Sequence, residues 1–290
     1  MIPTLILIIA LGATIYGSYT DWKIREVPNW ISYPLIGVML ALRLADYAIT
    51  RNLTNLTYSL ATGGVFLVLG LLMFYTGQWG GADLKILTAL GIGFGSLLGP
   101  IFPKHIAPWP FGMTILMNML VVAAVYSILF GFGVSYNNKK VFSETRKSMK
   151  KFEMPIVLAL FFIGCSLILY DRIFFMVALL APLWLLMRYM KSVEKICLIR
   201  TRSWKDVVEF DVPVENLKIG RKILQESKDP NGFTLEKLAE CRKLAKSGKL
   251  PKKIIVKWGI PLIPVYPVTI LVSIFVGDLL YLLMNLAIVS

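Results

Sequence analysis

Long apolar stretches alternate with short polar segments along most of the chain. About 20 apolar residues in a helix cross a hydrocarbon core of roughly 30 Å, at a rise of about 1.5 Å per residue. A helix also satisfies its own backbone hydrogen bonds in lipid, so each stretch predicts a membrane-spanning helix. The pattern therefore predicts an all-α polytopic membrane protein with about eight transmembrane helices, six at the fewest. The predicted spans cover residues 2–20, 29–49, 57–77, 83–101, 112–132, 154–170, 173–190 and 265–288.

The pair of spans at 154–170 and 173–190 is joined only through Asp171-Arg172, which leaves two interpretations open. As two spans, they keep the polar segment that follows on the same side of the membrane as the 133–153 loop. As one re-entrant element, they move that segment to the other side. We interpret the pair as two spans, which gives the count of eight.

The composition fits a membrane protein, and the charge orients it. Hydrophobic residues make up 57% of the chain, against about 45–50% in soluble domains, and the mean hydropathy is +0.69. The net charge is +14, and one side of the predicted membrane receives 27 of the 31 Lys and Arg residues. Cytoplasmic loops are rich in Lys and Arg, so this side is the cytoplasm and the N-terminus lies outside. Basic loops beside a bilayer account for the charge without a nucleic-acid partner.

Polar composition divides the chain into three parts. Residues 1–190 predict a transmembrane domain with a basic cytoplasmic loop at 133–153, and residues 258–290 predict a C-terminal transmembrane helix. Residues 191–257 between them predict a small α+β cytoplasmic domain.

Local signals place elements inside this insert and just after it. We expect strands over Val207–Val214 and Lys252–Trp258, and a helix that Thr234 caps and that runs to Lys246. The closely spaced prolines of GIPLIPVYP, residues 259–267, favour an irregular lead-in to the last span.

Cysteine and histidine offer little chemistry. Cys165, Cys197 and Cys241 are widely separated, and no CxxC occurs. His105 is the only histidine. Zinc sites and Ser-His or Cys-His catalysis are therefore poorly supported, and we predict no metal and no cofactor.

Acidic residues in or beside the spans are the candidates for chemistry, because a carboxylate is costly to place in a membrane. They are Asp21, Asp46, Asp83, Asp171 and Asp278. Asp21 ends the first span and Asp83 begins the fourth, so the predicted topology brings both to the cytoplasmic side at similar depth. Two close carboxylates share a proton, so one can activate water while the other protonates a carbonyl. Asp46 and Asp171 lie at the outer side near Arg43 and Arg172. Asp278, midway through the last span, has either a structural role or a catalytic or proton-relay role.

Glycines and lysines accompany the two acids. Gly80 and Gly81 precede Asp83 and form either a tight turn or a surface that an extended substrate backbone can approach. Lys23 and Lys85 each follow an acid by two positions, and either favour its ionised form or anchor a helix end by reaching to the membrane surface.

The segment YTDWKIREVPNW, residues 19–30, resembles the first aspartate motif of archaeal preflagellin and prepilin peptidases, in which Lys and then Pro follow the acid. GGADLK, residues 80–85, resembles their second motif, GxGD, which defines these intramembrane aspartyl proteases. The resemblance covers residues 1–100 well. Ala82 replaces the second motif glycine, a position where the broader motif accepts a small or hydrophobic residue.

The resemblance implies a membrane aspartyl endopeptidase with Asp21 and Asp83 as catalytic residues and Gly80, Gly81, Lys23, Lys85 and Pro28 in support. It implies substrates that are membrane-inserted prepilin or preflagellin precursors, cut at class III signal peptides near the cytoplasmic face of the cell membrane. Since both the leader and this face are basic, Glu26 and local geometry matter more than net charge. The cysteine-rich zinc domain of the bacterial methylating relatives has no counterpart here, so methyl transfer is not implied.

Two other functions stay open. An ion- or proton-coupled transporter would use Asp83 and Asp278, although no inverted repeat is visible. A non-catalytic scaffold of a pilus assembly apparatus would need none of these acids.

Overall fold

Helices dominate the computed structural model of the chain. It describes residues 2–24, 27–76, 79–96, 109–149, 153–167, 175–209, 211–220, 222–227, 229, 232–257 and 259–282. The helices are α1 (Ile2–Ile24), α2 (Asn29–Thr50), α3 (Leu53–Tyr75), α4 (Gly81–Phe94), α5 (Phe111–Ser135), α6 (Lys139–Ser148), α7 (Glu153–Leu167), α8 (Phe175–Cys197), α9 (Leu235–Lys246) and α10 (Val265–Phe275). The strands are β1 (Ile199–Ser203), β2 (Val212–Pro213), β3 (Leu217–Ile219), β4 (Lys222–Gln225) and β5 (Lys253–Lys257).

Four helices of the described chain are long and apolar enough to cross a membrane, namely α1, α2, α3 and α5. They support a polytopic membrane protein, and fewer such spans are found than the eight predicted. The predicted turn at Asp171-Arg172 lies outside the described residues, as does Glu26.

The short helix α4 is the centre of the bundle and packs against α1, α2, α3 and α5. Every residue from Ile86 to Phe94 is buried. Two glycines of α3 allow the close approach: a Cβ at Gly70 would lie 2.6 Å from Leu84 Cδ1, and one at Gly63 would lie 2.4 Å from Ile92 Cγ1. Small residues at a helix interface let backbones meet in this way, and here they fix the position of α4.

A buried arginine holds the C-terminal end of α4. The guanidinium of Arg43, on α2, donates to Gly93 O and to Ser96 Oγ, the latter at 3.0 Å. It also lies 3.5 Å from Asp46 Oδ2, so Arg43 compensates the charge of this aspartate. The cation satisfies a carbonyl at the negative end of the helix dipole.

The predicted last span, 265–288, is interrupted, which corrects the expectation of a continuous helix. Helix α10 ends at Phe275, and Gly277 has a φ of +91° that glycine adopts readily. Asn118, on α5, donates to Gly277 O (2.7 Å) and accepts from Leu279 N (2.9 Å). This side chain satisfies backbone groups that the break leaves without helical partners.

The basic segment 133–153, expected to be a loop, contains the helix α6. Val141 of α6 is buried against Tyr189 and Val193 of α8. Helix α8 continues to Cys197, past residue 191.

The segment after α8 contains an antiparallel sheet of order β1-β5-β2, in which Ile199 and Val212 both lie opposite Lys257. A second antiparallel pair, β3-β4, contributes Leu217 to the same hydrophobic core. Helix α9 follows its predicted cap, since Thr234 Oγ1 accepts from Lys237 N, and it ends at Lys246 as predicted. The strand expected over Val207–Val214 is reduced to β2. The core comprises Trp204, Val207, Leu217, Phe233, Leu238, Cys241, Leu250, Ile254 and Val256.

Candidate active site

Asp21 lies in the last turn of α1 and is buried, with 9% of its surface exposed. Its Oδ2 accepts a hydrogen bond from the main-chain N–H of Ile263 at 3.1 Å. Ile263 belongs to the lead-in before α10, and a Cβ at Gly17, one turn before Asp21, would lie 3.3 Å from Ile263 Cγ2. The lead-in is therefore packed directly on the end of α1 that carries the acid.

Asp83 is the third residue of α4 and is also buried, at 8% exposed. Its Oδ2 accepts from Gly80 N at 3.0 Å, a bond that satisfies one free N–H at the start of the helix. The other oxygen, Oδ1, is buried and has no hydrogen-bond partner among the residues that the structure describes. Capping thus uses one oxygen of Asp83 and leaves the other available.

The structure brings Asp21 and Asp83 to the same end of the bundle. The two carboxyl groups interact electrostatically with each other, and both also interact electrostatically with the hydroxyl group of Tyr266. That hydroxyl donates to the main-chain oxygen of Asp83 at 3.1 Å. Elements far apart in sequence, α1, α4 and the start of α10, therefore converge on one buried polar cluster.

The glycines before Asp83 have ordinary backbone angles. Gly80 is extended, with φ −78° and ψ 163°, and Gly81 begins α4. A Cβ would lie 3.4 Å from Asp83 Oδ2 at Gly80 and 3.8 Å from Phe74 Cε2 at Gly81, both ordinary contacts. Because the two glycines have no side chains, the protein surface beside the Asp83 carboxyl group is unobstructed.

The supporting lysines contact other groups than the acids. Lys85 Nζ donates to Asn29 Oδ1 at 2.6 Å and lies 4.0 Å from the ring centre of Tyr33. Lys23 Nζ donates to Tyr19 Oη at 3.2 Å on the exposed side of α1. These contacts favour the anchoring role over a role in ionisation.

Pro28 and Asn29 have a shared structural use. Pro28 precedes the first residue of α2, and its carbonyl accepts from Ile31 N at 3.0 Å. The side-chain oxygen of Asn29 accepts a hydrogen bond from Lys85, on α4. The end of the first motif therefore ties the start of α2 to the helix that carries Asp83.

Sequence reasoning missed the contributions of Ile263 and Tyr266. Both lie in GIPLIPVYP, where only the prolines attracted attention. A backbone N–H has no sequence signature. A tyrosine among apolar residues was the one available signal, because its hydroxyl needs a partner when buried.

Asp278 does not join the pair. It follows the C-terminal end of α10, about 16 Å along the helix axis from the end that carries Tyr266. Its Oδ1 accepts from Tyr281 N at 2.9 Å and its Oδ2 from Trp109 Nε1 at 2.8 Å. It caps the helical turn that follows the break, which is the structural role of the two considered.

Comparisons with known proteins agree with the motifs. Residues 7–134 match the model of the type IV leader peptidase family. The chain is 28% identical, over 170 residues, to the prepilin peptidase EppA of Methanothermobacter thermautotrophicus, an alignment that covers 55% of this chain and 44% of that protein. No solved structure matches the chain significantly. The resemblance to prepilin and preflagellin peptidases is therefore confirmed.

Proposed function

From a chain whose residues 7–134 match the type IV leader peptidase family, we propose a membrane aspartyl endopeptidase with Asp21 and Asp83 as its catalytic pair. The observation that carries the proposal is the convergence of two buried, electrostatically interacting carboxyl groups in one polar cluster. The unpartnered Oδ1 of Asp83 supports it, because a buried carboxylate oxygen without a partner is costly unless a ligand or water reaches it.

The chemistry follows from two carboxyl groups that hold one proton between them. The ionised group removes a proton from a water molecule, which attacks the scissile carbonyl carbon, while the protonated group donates to the carbonyl oxygen. The tetrahedral intermediate collapses when the peptide nitrogen takes a proton and leaves as the new N-terminus. No covalent bond between enzyme and substrate is needed. The low surface over Gly80 and Gly81 gives an extended peptide access to Asp83.

The proposed substrates are prepilin or preflagellin (archaellin) precursors with class III signal peptides, in line with the name of the aligned relative. The hydrophobic helix of the substrate would lie in the bilayer beside the bundle. The cut would fall at the cytoplasmic face of the cell membrane, with the N-terminus of this chain outside, because the basic segments flank the Asp21 end.

The test is cleavage of a candidate prepilin by the full chain reconstituted in liposomes. Asp21→Asn and Asp83→Asn should each lower the rate on the order of 100-fold to 10,000-fold, the range for loss of a positioned acid or base. Asp206→Asn, which changes an exposed aspartate after β1, is the control and should retain activity. Equal cleavage by the wild type and both pair variants would refute the assignment.

The geometry gives no support to a transporter site made of Asp83 and Asp278, since α10 separates them. Ion flux that depends on Asp278 but not on Asp21 would restore that alternative. A scaffold role would appear as co-purification with assembly components and indifference to all three aspartate changes.

A further inference from the structure

A small pocket opens between α6 and α8, outside the acidic pair. Its volume is about 120 Å³, room for about four water molecules or one tetrahedral oxyanion. The lining comprises Glu144, Ser148, Arg188, Lys191, Ser192 and Lys195. Three cationic side chains line this small volume, and their ammonium and guanidinium groups are donors of the kind that bind a phosphate. The hydroxyls of Ser148 and Ser192 already donate to the main-chain oxygens of Thr145 and Arg188.

Two carboxylates hold part of this positive charge in place. Arg188 Nη2 lies 2.7 Å from Glu153 Oε1, and Lys195 pairs with Glu144. The Lys195 ammonium, which donates to Glu144, lowers the pKa of that carboxyl below its ordinary value. Lys191, which also lines the pocket, is exposed. The pocket keeps a net positive charge, and one of its cations has its partner within the pocket itself.

The surroundings place this pocket at a membrane surface. Helix α6 is amphipathic: it buries Val141 and exposes Phe142, at 62%, beside basic residues. Tyr136, at the end of the long apolar α5, is 84% exposed. Exposed aromatic and basic side chains on a helix that follows a membrane span are typical of contact with the headgroup region.

The same end of the bundle carries the acidic pair. The rings of Trp22, next to Asp21, and Phe130, near the end of α5, lie 6.0 Å apart. The pocket therefore belongs to the basic face, where anionic lipids would concentrate.

We propose that the pocket between α6 and α8 binds the phosphate of an anionic lipid headgroup, with Arg188, Lys191 and Lys195 as its cationic ligands. The lipid would fasten α6 to the membrane surface and to α8. Glu144 competes with the phosphate for Lys195, so this carboxylate lowers the affinity of the pocket for the lipid phosphate. The proposal is independent of the peptidase activity.

The test measures lipid retained by the full chain in detergent, by native mass spectrometry, with phosphatidylglycerol against phosphatidylcholine. The wild type should retain phosphatidylglycerol preferentially. Lys191→Gln should lower that retention about fivefold, the equivalent of one lysine near an anionic surface. Glu144→Gln should raise it, because Lys195 is freed. Lys218→Gln, which removes an exposed lysine from β3, is the control and should change nothing.

Two results would overturn the proposal. Equal retention by the wild type and Lys191→Gln would show that the pocket is not the site. Retention of inorganic phosphate by the chain, with no preference for phosphatidylglycerol over phosphatidylcholine, would assign the pocket to free phosphate and refute lipid binding.

Discussion

The main-chain N–H of Ile263 donates a hydrogen bond to Asp21 Oδ2 at 3.1 Å, across 242 positions of sequence. Three residues later, Tyr266 donates to the main-chain oxygen of Asp83, also at 3.1 Å. The lead-in and the first turn of α10 therefore contact both acids: Ile263 contacts the carboxylate of Asp21, and Tyr266 contacts the backbone of Asp83. The relative position of the pair depends on a segment that neither aspartate motif contains.

Tyr266→Phe removes the hydroxyl that positions Asp83 and leaves the ring in place. The lost hydrogen bond is worth about 0.5–1.5 kcal/mol, so we expect a fall in kcat of up to about tenfold with little change in KM. The measurement is steady-state cleavage of a prepilin by reconstituted protein, with helix content followed by circular dichroism. Tyr136→Phe, at an exposed tyrosine, should leave kcat unchanged. An unaltered kcat in Tyr266→Phe would show that the Tyr266 hydroxyl does not position Asp83.

Gly80→Ala tests whether the glycine serves access or folding. The extended backbone accepts alanine and its Cβ meets Asp83 Oδ2 at an ordinary 3.4 Å, so thermal stability should stay within about 0.5 kcal/mol. The methyl group raises the surface beside the carboxyl, and we expect a higher KM for the precursor. A variant that loses stability and activity together would indicate a folding role instead.

Gly70→Ala should weaken the contact between α3 and α4. Its Cβ would lie 2.6 Å from Leu84 Cδ1 and 3.3 Å from Leu84 Cα, so the helices must separate, at a cost of about 1–3 kcal/mol. Gly64→Ala is the matched control on the same helix, since nothing lies within 4 Å of its Cβ. Thermal unfolding in detergent compares the two. Similar midpoints would mean that α3 and α4 adjust without cost.

At the break after α10, Trp109 Nε1 donates a hydrogen bond to Asp278 Oδ2. Trp109→Phe removes the donor of this bond, and Asp278→Asn removes the charge of its acceptor. A double-mutant cycle on thermal stability should give a coupling of about 1–3 kcal/mol, because the bond involves a buried carboxylate. Cleavage should persist in Asp278→Asn at a temperature where the variant is folded. Additive effects would show that the two side chains do not interact.

Cys241 should resist alkylation in the folded protein. It is 2% exposed, and burial raises the pKa of its thiol from 9.0 to about 11. The folded state keeps the proton longer than the unfolded state, so the stability from this group is complete below pH 9 and is lost as pH rises toward 11. Iodoacetamide at pH 8, mapped by mass spectrometry, should label Cys197 before Cys241. Equal labelling would mean that α9 is loosely packed.

The membrane helices and the acidic pair were predictable because each has a local signal. Asn29 begins α2 where the apolar stretch begins, and Thr234 caps α9 as its side chain predicts. Asp21 and Asp83 were paired because topology alone brings alternate span ends to one side. These inferences needed only periodicity, charge and spacing.

The remaining features depend on contacts that no window of sequence contains. Helix α6 is polar and buries only Val141 among its described residues, so a search for apolar stretches passes over it. The break at Gly277 lies within an apolar run, and it is satisfied by Asn118, more than 150 residues earlier. The role of Ile263 is carried by its backbone, which is the same in every residue type except proline.

Helix α4 is held at both ends, by Arg43 at Gly93 and by Tyr266 at Asp83. It therefore acts as a rod of about 21 Å that sets the depth of Asp83 from the opposite end of the bundle. One residue inserted between these anchors would rotate the carboxyl by about 100° and displace it by about 1.5 Å. Evolution of this site is consequently constrained in length as well as in composition, and insertions can be accommodated in the polar segments but not in this helix.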